Sequence, residues 1–122
     1  MHNILIADDS VELLEMIKLI YSRRNFLIAT ARSRDEVFSN LDRIRPDLIF
    51  LDVLLNKDDG REICWELKSR NEYRQIPVIL MSGNSEKLSN YKEVLADDII
   101  EKPFSIETIL LKVKALLGSK KF

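Results

Sequence analysis

Cys64 is the only cysteine in this 122-residue chain, which excludes an internal disulfide and fits a reducing compartment. It stands in an apolar helical stretch and reads as a core thiol, not a nucleophile. Histidine is as scarce, and the lone His2 reads as a spectator near the chain start. There is no excess of basic charge. Nineteen Lys and Arg stand against 20 Asp and Glu, for a formal net charge of -1, so nothing marks a nucleic-acid backbone as a direct partner. The basic pair at the tail, Lys120-Lys121, reads as solvated. No apolar run approaches a membrane span, and no charged leader with an apolar region precedes the strand pattern that begins at Asn3. The expectation is a soluble cytoplasmic protein with no membrane contact. Repeats, linkers and low-complexity stretches are also missing. What remains is 46% hydrophobic and 32% charged, enough for a core under a solvated surface in one compact domain.

Two kinds of segment alternate. Apolar runs at Asn3–Ala7, Phe26–Ala31, Leu48–Val53, Pro77–Met81 and Ile99–Ile100 lack polar alternation, as strands buried on both faces do. Between them lie helical stripes: Leu13, Leu14, Ile17, Ile20 and Tyr21; Val37, Phe38, Leu41 and Ile44; Ile63, Cys64 and Leu67; and Ile106, Ile109, Leu110, Val113, Leu116 and Leu117. Each stripe is read as core. Ser10, Ser33 and Ser105 can cap helices, Ser33 with Glu36 as a capping box, and Gly118 can end the last helix. The stretch Ser85–Leu95 is read as a short helix. Trp65 falls off its helix's core stripe, either to face solvent as a partner anchor or to pack under a neighbouring loop. The order βαβαβαβαβα implies an α/β fold, with a parallel sheet, right-handed crossovers and helices on both faces.

In such a sheet, ligands bind beyond the carboxyl ends of the strands. Asp8-Asp9 follow the first strand, Asp52 ends the third, Ser82-Gly83 the fourth and Lys102-Pro103 the fifth. Three carboxylates brought together need a cation or raised pKa values. Hard oxygen donors without histidine or cysteine point to Mg²⁺ and not zinc. Mg²⁺ commonly shares its coordination with a phosphate, and a lysine and a hydroxyl suit the oxygens of a transferring phosphoryl group. A carboxylate can itself be the nucleophile, giving an acyl phosphate, and Asp52 is the natural acceptor. Taken singly, each residue has an ordinary explanation: a favoured charge at a helix start, a turn, a surface lysine. Together they would need four coincidences along one edge of one sheet. Asp58-Asp59-Gly60 is read as turn chemistry without a ligand role.

Asp8-Asp9, Leu48-Ile49-Phe50-Leu51-Asp52, Asp59-Gly60, Ser82-Gly83 and Lys102-Pro103-Phe104 resemble, in order and over the whole chain, the receiver domain of bacterial two-component response regulators. The resemblance implies a flavodoxin-like (βα)5 sheet in strand order 2-1-3-4-5 and a single receiver domain over residues 1–122 with no output domain. It implies that Asp52 takes a phosphoryl group from a histidine kinase or phosphotransfer protein. Asp9, Asp52 and the Leu54 carbonyl would bind Mg²⁺ directly, and Asp8 would act through a metal-bound water. Ser82 and Lys102 would contact the phosphoryl oxygens, helped by backbone N–H groups near Val53 and Gly83. The Lys102–Pro103 bond would be cis. Such a protein is a signalling switch that catalyses its own phosphorylation and slow dephosphorylation, as a monomer or a phosphorylation-dependent dimer, to control a downstream protein.

The chain departs from the family pattern at several places. Ile99 stands where an aromatic residue is common. Asn56 replaces a usual proline, so the loop Leu54–Asp59 is expected to be more mobile. The segment from Ser82 to Lys102 is short by about two residues and lacks the glycine before Ala96. Leu54 and Asn84 stand where the family tunes phosphoryl loss, and apolar Leu54 is expected to slow it. Two rivals remain. A phosphohydrolase with an aspartyl-phosphate intermediate would carry Asp-x-Asp, which is missing here. A phosphorylation-independent receiver-like module would have lost an acidic residue or the lysine, and all are present.

Overall fold

A computed structural model describes residues 2–21, 24 and 26–118, so Met1 and the Lys120-Lys121 pair lie outside the described residues. Strands β1 (His2–Ala7), β2 (Phe26–Ala31), β3 (Leu48–Asp52), β4 (Val78–Ser82) and β5 (Asp98–Glu101) form one five-stranded sheet in the order β2-β1-β3-β4-β5. Every neighbouring pair is parallel, with Ile4 level with Ile28 and Leu48, and Asp52 level with Met81. The expected strand order is the observed one.

Alternate residues of the buried strands feed two cores. Leu5, Ala7, Ile49 and Leu51 pack with α2 (Arg34–Ile44) and α3 (Gly60–Lys68) on one face. Ile4, Ile6, Phe50 and Met81 pack with α1 (Val11–Tyr21) and α5 (Ile106–Leu117) on the other. β3 and β4 are buried along their whole length, which is why their sequences show no polar alternation. Helix starts follow the serine signals. Ser10 Oγ accepts from the Leu13 N–H at 3.3 Å, Ser33 Oγ from Glu36 at 3.2 Å, and Ser105 Oγ from Thr108 at 3.2 Å. Gly118, at φ 87, ends α5.

The structure differs from the sequence reading in five places. The Ser33–Glu36 box is half made: the Glu36 carboxylate reaches past Ser33 to accept from the Arg32 N–H at 3.0 Å. Helix α4 covers only Ser85–Leu88; beyond it the backbone bonds tighten to three-residue turns, Ser89 N–H to the Glu86 carbonyl at 3.2 Å and Tyr91 N–H to that of Leu88 at 3.2 Å. The chain then turns through a left-handed Leu95 at φ 66. Ile106, assigned to the core stripe of α5, is half exposed, because it starts the helix a turn before Ile109 reaches the core. The loop after Asp52 is a small antiparallel hairpin, Leu54–Leu55 against Asp58–Asp59, rather than an open loop. Asn56 turns it at φ 59, a conformation asparagine tolerates and proline cannot adopt. Last, Asp58-Asp59-Gly60 does more than turn the chain. Asp58 accepts from the Arg34 N–H at 2.8 Å, Asp59 caps α3 through the Arg61 N–H at 2.8 Å, and Gly60 donates to the Val53 carbonyl at 2.6 Å.

Candidate functional site

The sheet order puts β1, β3, β4 and β5 side by side, so their carboxyl ends deliver Asp8, Asp52, Ser82 and Lys102 to one edge. Asp8 is fully buried. Its Oδ1 accepts from the Ser10 N–H at 2.8 Å, and its Oδ2 from the Lys102 ammonium at 2.6 Å. That ammonium also reaches Asp52 Oδ2 at 3.1 Å, while Asp52 Oδ1 accepts from the Leu54 N–H at 3.2 Å. Lys102 thus bridges two acidic groups that come from different strands. Its N–H donates to the Ser82 carbonyl at 2.9 Å, and the Lys102–Pro103 bond is cis, as expected.

Burial pushes the Asp52 carboxyl above the ordinary aspartate value, and the charge of Asp8 adds to that. Lys102 and the Leu54 N–H pull the other way without cancelling it. Burial works against the Lys102 ammonium. The hydrogen bond to Asp8 and the charges of Asp52 and Asp8 outweigh burial and hold its pKa above the usual lysine value.

Asp9 is exposed at the rim. Its carboxylate, with those of Asp8 and Asp52, offers oxygens that lie within 4.8 Å of one another. Three hard oxygens without a nitrogen or sulfur donor match a small divalent cation such as Mg²⁺. Ser82 is nearly buried, and its Oγ accepts from the Asn84 N–H at 3.0 Å. The Val53 N–H is taken up by the Met81 carbonyl at 2.9 Å, so the amide that faces the Asp52 carboxylate is that of Leu54. Leu54 itself is exposed beside a cleft of about 350 Å³ onto which Asp9, Asp52, Ser82 and Lys102 open.

Two contributors were not found in the sequence. Gly60 packs against the Asp52 carbonyl, and Lys87 lines the cleft. The only sequence signal for Lys87 is its place on the helix that follows Ser82. His2 and Cys64 stay away from the site. Cys64 is buried, with its thiol on the Val94 carbonyl at 3.4 Å, and Trp65 faces solvent on α3. Among the described residues, no helix is long and apolar enough to cross a membrane.

Residues 4–114 match the family model of the response regulator receiver domain. The transcriptional regulatory protein ResD of Bacillus subtilis is 32% identical over 116 residues, which are 93% of this chain and 47% of ResD. The phosphate regulon transcriptional regulatory protein PhoB of Escherichia coli is 30% identical over 93% of this chain and 51% of its own length. The chain therefore spans about half the length of these curated relatives. Among solved structures, the signal receiver domain of a signal transduction histidine kinase from Syntrophus aciditrophicus is 34% identical with a TM-score of 0.87, covering 98% of this chain and 92% of its own. The receiver domain of NtrX from Brucella abortus is 30% identical with a TM-score of 0.84, covering 93% and 97%.

Proposed function

The chain belongs to the response regulator receiver family of two-component signalling, and from that premise we propose that Asp52 is its phosphoryl acceptor, with residues 1–122 acting as one receiver unit. The observation that carries this reading is the Lys102 ammonium held between Asp8 and Asp52 at the carboxyl edge of the sheet.

A phosphohistidine on a histidine kinase or phosphotransfer protein presents its phosphorus to the cleft. An Asp52 carboxylate oxygen attacks, the phosphorus–nitrogen bond breaks, and the electron pair leaves with the donor imidazole, which keeps or gains the proton it needs to be neutral. Asp8, Asp9 and Asp52 would hold Mg²⁺, with the Leu54 carbonyl as a further ligand and Asp8 acting through a bound water. The ion supplies charge neutralisation for the phosphoryl oxygens. Lys102 meets the developing charge from the other side, and the Ser82 hydroxyl turns from the Asn84 N–H to donate to a phosphoryl oxygen. Exposed Leu54 covers the acyl phosphate and slows its hydrolysis. The new dianion shifts a two-state equilibrium that a downstream protein reads.

The reading is tested by adding Mg²⁺ and a small acyl-phosphate donor to the purified chain and following phosphoprotein formation. It predicts formation that stops on chelation of the divalent cation and falls steeply in Lys102→Met. Formation that ignores both changes contradicts it.

A further inference from the structure

Lys87 is a cation beside this edge that the chemistry above leaves unused. It is half-buried on α4, beyond Ser82, and lines the same cleft as Asp52, Ser82 and Lys102. Its ammonium makes no hydrogen bond or ion pair with any described residue. It also lines a neighbouring cleft of about 110 Å³ with Asp59, and Leu54 lines both clefts as well. Asp59 feels the Lys87 charge, but Arg61 is what holds its carboxylate low first of all. Arg61 grips both Asp59 oxygens, with Nε on Oδ1 at 3.1 Å and Nη2 on Oδ2 at 2.8 Å. Lys87 is therefore a partly desolvated charge without a committed partner, placed between a satisfied carboxylate and the acceptor.

Charge balance says what it is for. Three carboxylates, Lys102 and a divalent cation sum to neutrality in the unmodified site. Acylation of phosphate replaces the single charge of Asp52 with about two. One negative charge is then uncompensated in a cleft where desolvation makes it expensive.

We propose that Lys87 is a second phosphoryl-binding cation, whose ammonium turns to the oxygens of the phosphoryl group on Asp52. This rests on Asp52 being the acceptor. Lys87 acts on the phosphoryl group and not on the metal, and that separates it from a residue that merely supports the fold.

The test is calorimetric titration of the whole chain, loaded with Mg²⁺, with beryllofluoride as a phosphoryl mimic. Lys87→Gln is expected to raise the dissociation constant about tenfold, the loss of one charge-assisted contact. Lys87→Arg should restore most of it. Lys57→Gln should bind as wild type, because Lys57 lines the neighbouring cleft but not that of Asp52. Mg²⁺ affinity without beryllofluoride should be equal or tighter in Lys87→Gln, since a nearby cation is gone. Unchanged beryllofluoride binding in Lys87→Gln, or an equal loss in Mg²⁺ affinity, overturns the proposal. If Lys87→Gln binds normally while Asp52→Asn does not bind, the proposal falls and the acceptor stands. If wild type neither binds the mimic nor gains a phosphoryl group, both fall.

Discussion

A Cβ placed on Gly60 would stand 2.0 Å from the Asp52 carbonyl oxygen and 2.8 Å from its carbonyl carbon. The first residue of α3 is thus packed directly on the backbone of Asp52, and no side chain fits between them. Gly60→Ala must push α3 away from β3 or tilt the Asp52 peptide. The expected result is a loss of about 1–3 kcal/mol in stability, read from urea melts, with slower phosphorylation. A variant as stable as wild type and equally reactive would show that the contact does not position Asp52.

The hairpin behind Asp52 is braced from α2 and α3. Arg34 donates through its backbone to Asp58, and its guanidinium reaches Glu66 Oε1 through Nη2 at 2.6 Å. Arg70 joins on the other Glu66 oxygen, and both guanidiniums lie 4.7 Å from the centre of the Phe38 ring. The Arg34 hydrogen bond, with the Arg34 and Arg70 charges, holds Glu66 below the usual glutamate range despite some desolvation. A depressed acid stabilises the fold above its unfolded pKa, and the benefit is lost as pH falls through the folded value. Glu66→Gln should therefore cost about 0.5–1 kcal/mol at neutral pH, given solvent screening. The gap from wild type should begin to shrink below the ordinary value of 4.5 and narrow as pH falls through the depressed folded value. Melting curves at neutral pH and at about pH 3 check this; a gap that persists in acid points to packing instead of charge.

Cys64 is buried among the α3 core residues, and burial pushes its thiol up to about 12. A thiol that is neither ionised nor accessible does not react. Native protein should resist a disulfide reagent at neutral pH, while urea-unfolded protein consumes one equivalent within minutes. Fast modification of the native state would mean that α3 opens locally.

Much of this was legible in the sequence, for a physical reason. Strands buried on both faces, such as Leu48–Asp52, must be apolar throughout, and a parallel sheet must place its strand ends on one edge. Asp8, Asp52, Ser82 and Lys102 could therefore be grouped from linear positions alone. The rest depended on contacts with no local signature. Gly60 looks like a turn glycine, yet it is required by the Asp52 carbonyl. Asn56 reads as the loss of a rigid proline, yet its left-handed backbone at φ 59 turns an ordered hairpin. The Ser85–Leu95 segment carries enough polar residues to read as helix, yet after one turn its backbone bonds tighten to three-residue turns. Ile106 keeps helical spacing with Ile109, but periodicity does not say where a helix first meets the core.

Whether Asp52 carries the phosphoryl group can be read from the mass of the intact chain. Intact-mass measurement of wild type and Asp52→Asn, each incubated with Mg²⁺ and an acyl-phosphate donor, tests it most directly. Phosphorylation at Asp52 predicts the gain of one phosphoryl mass in wild type and none in Asp52→Asn. No gain in wild type, or a gain that survives the substitution, contradicts it.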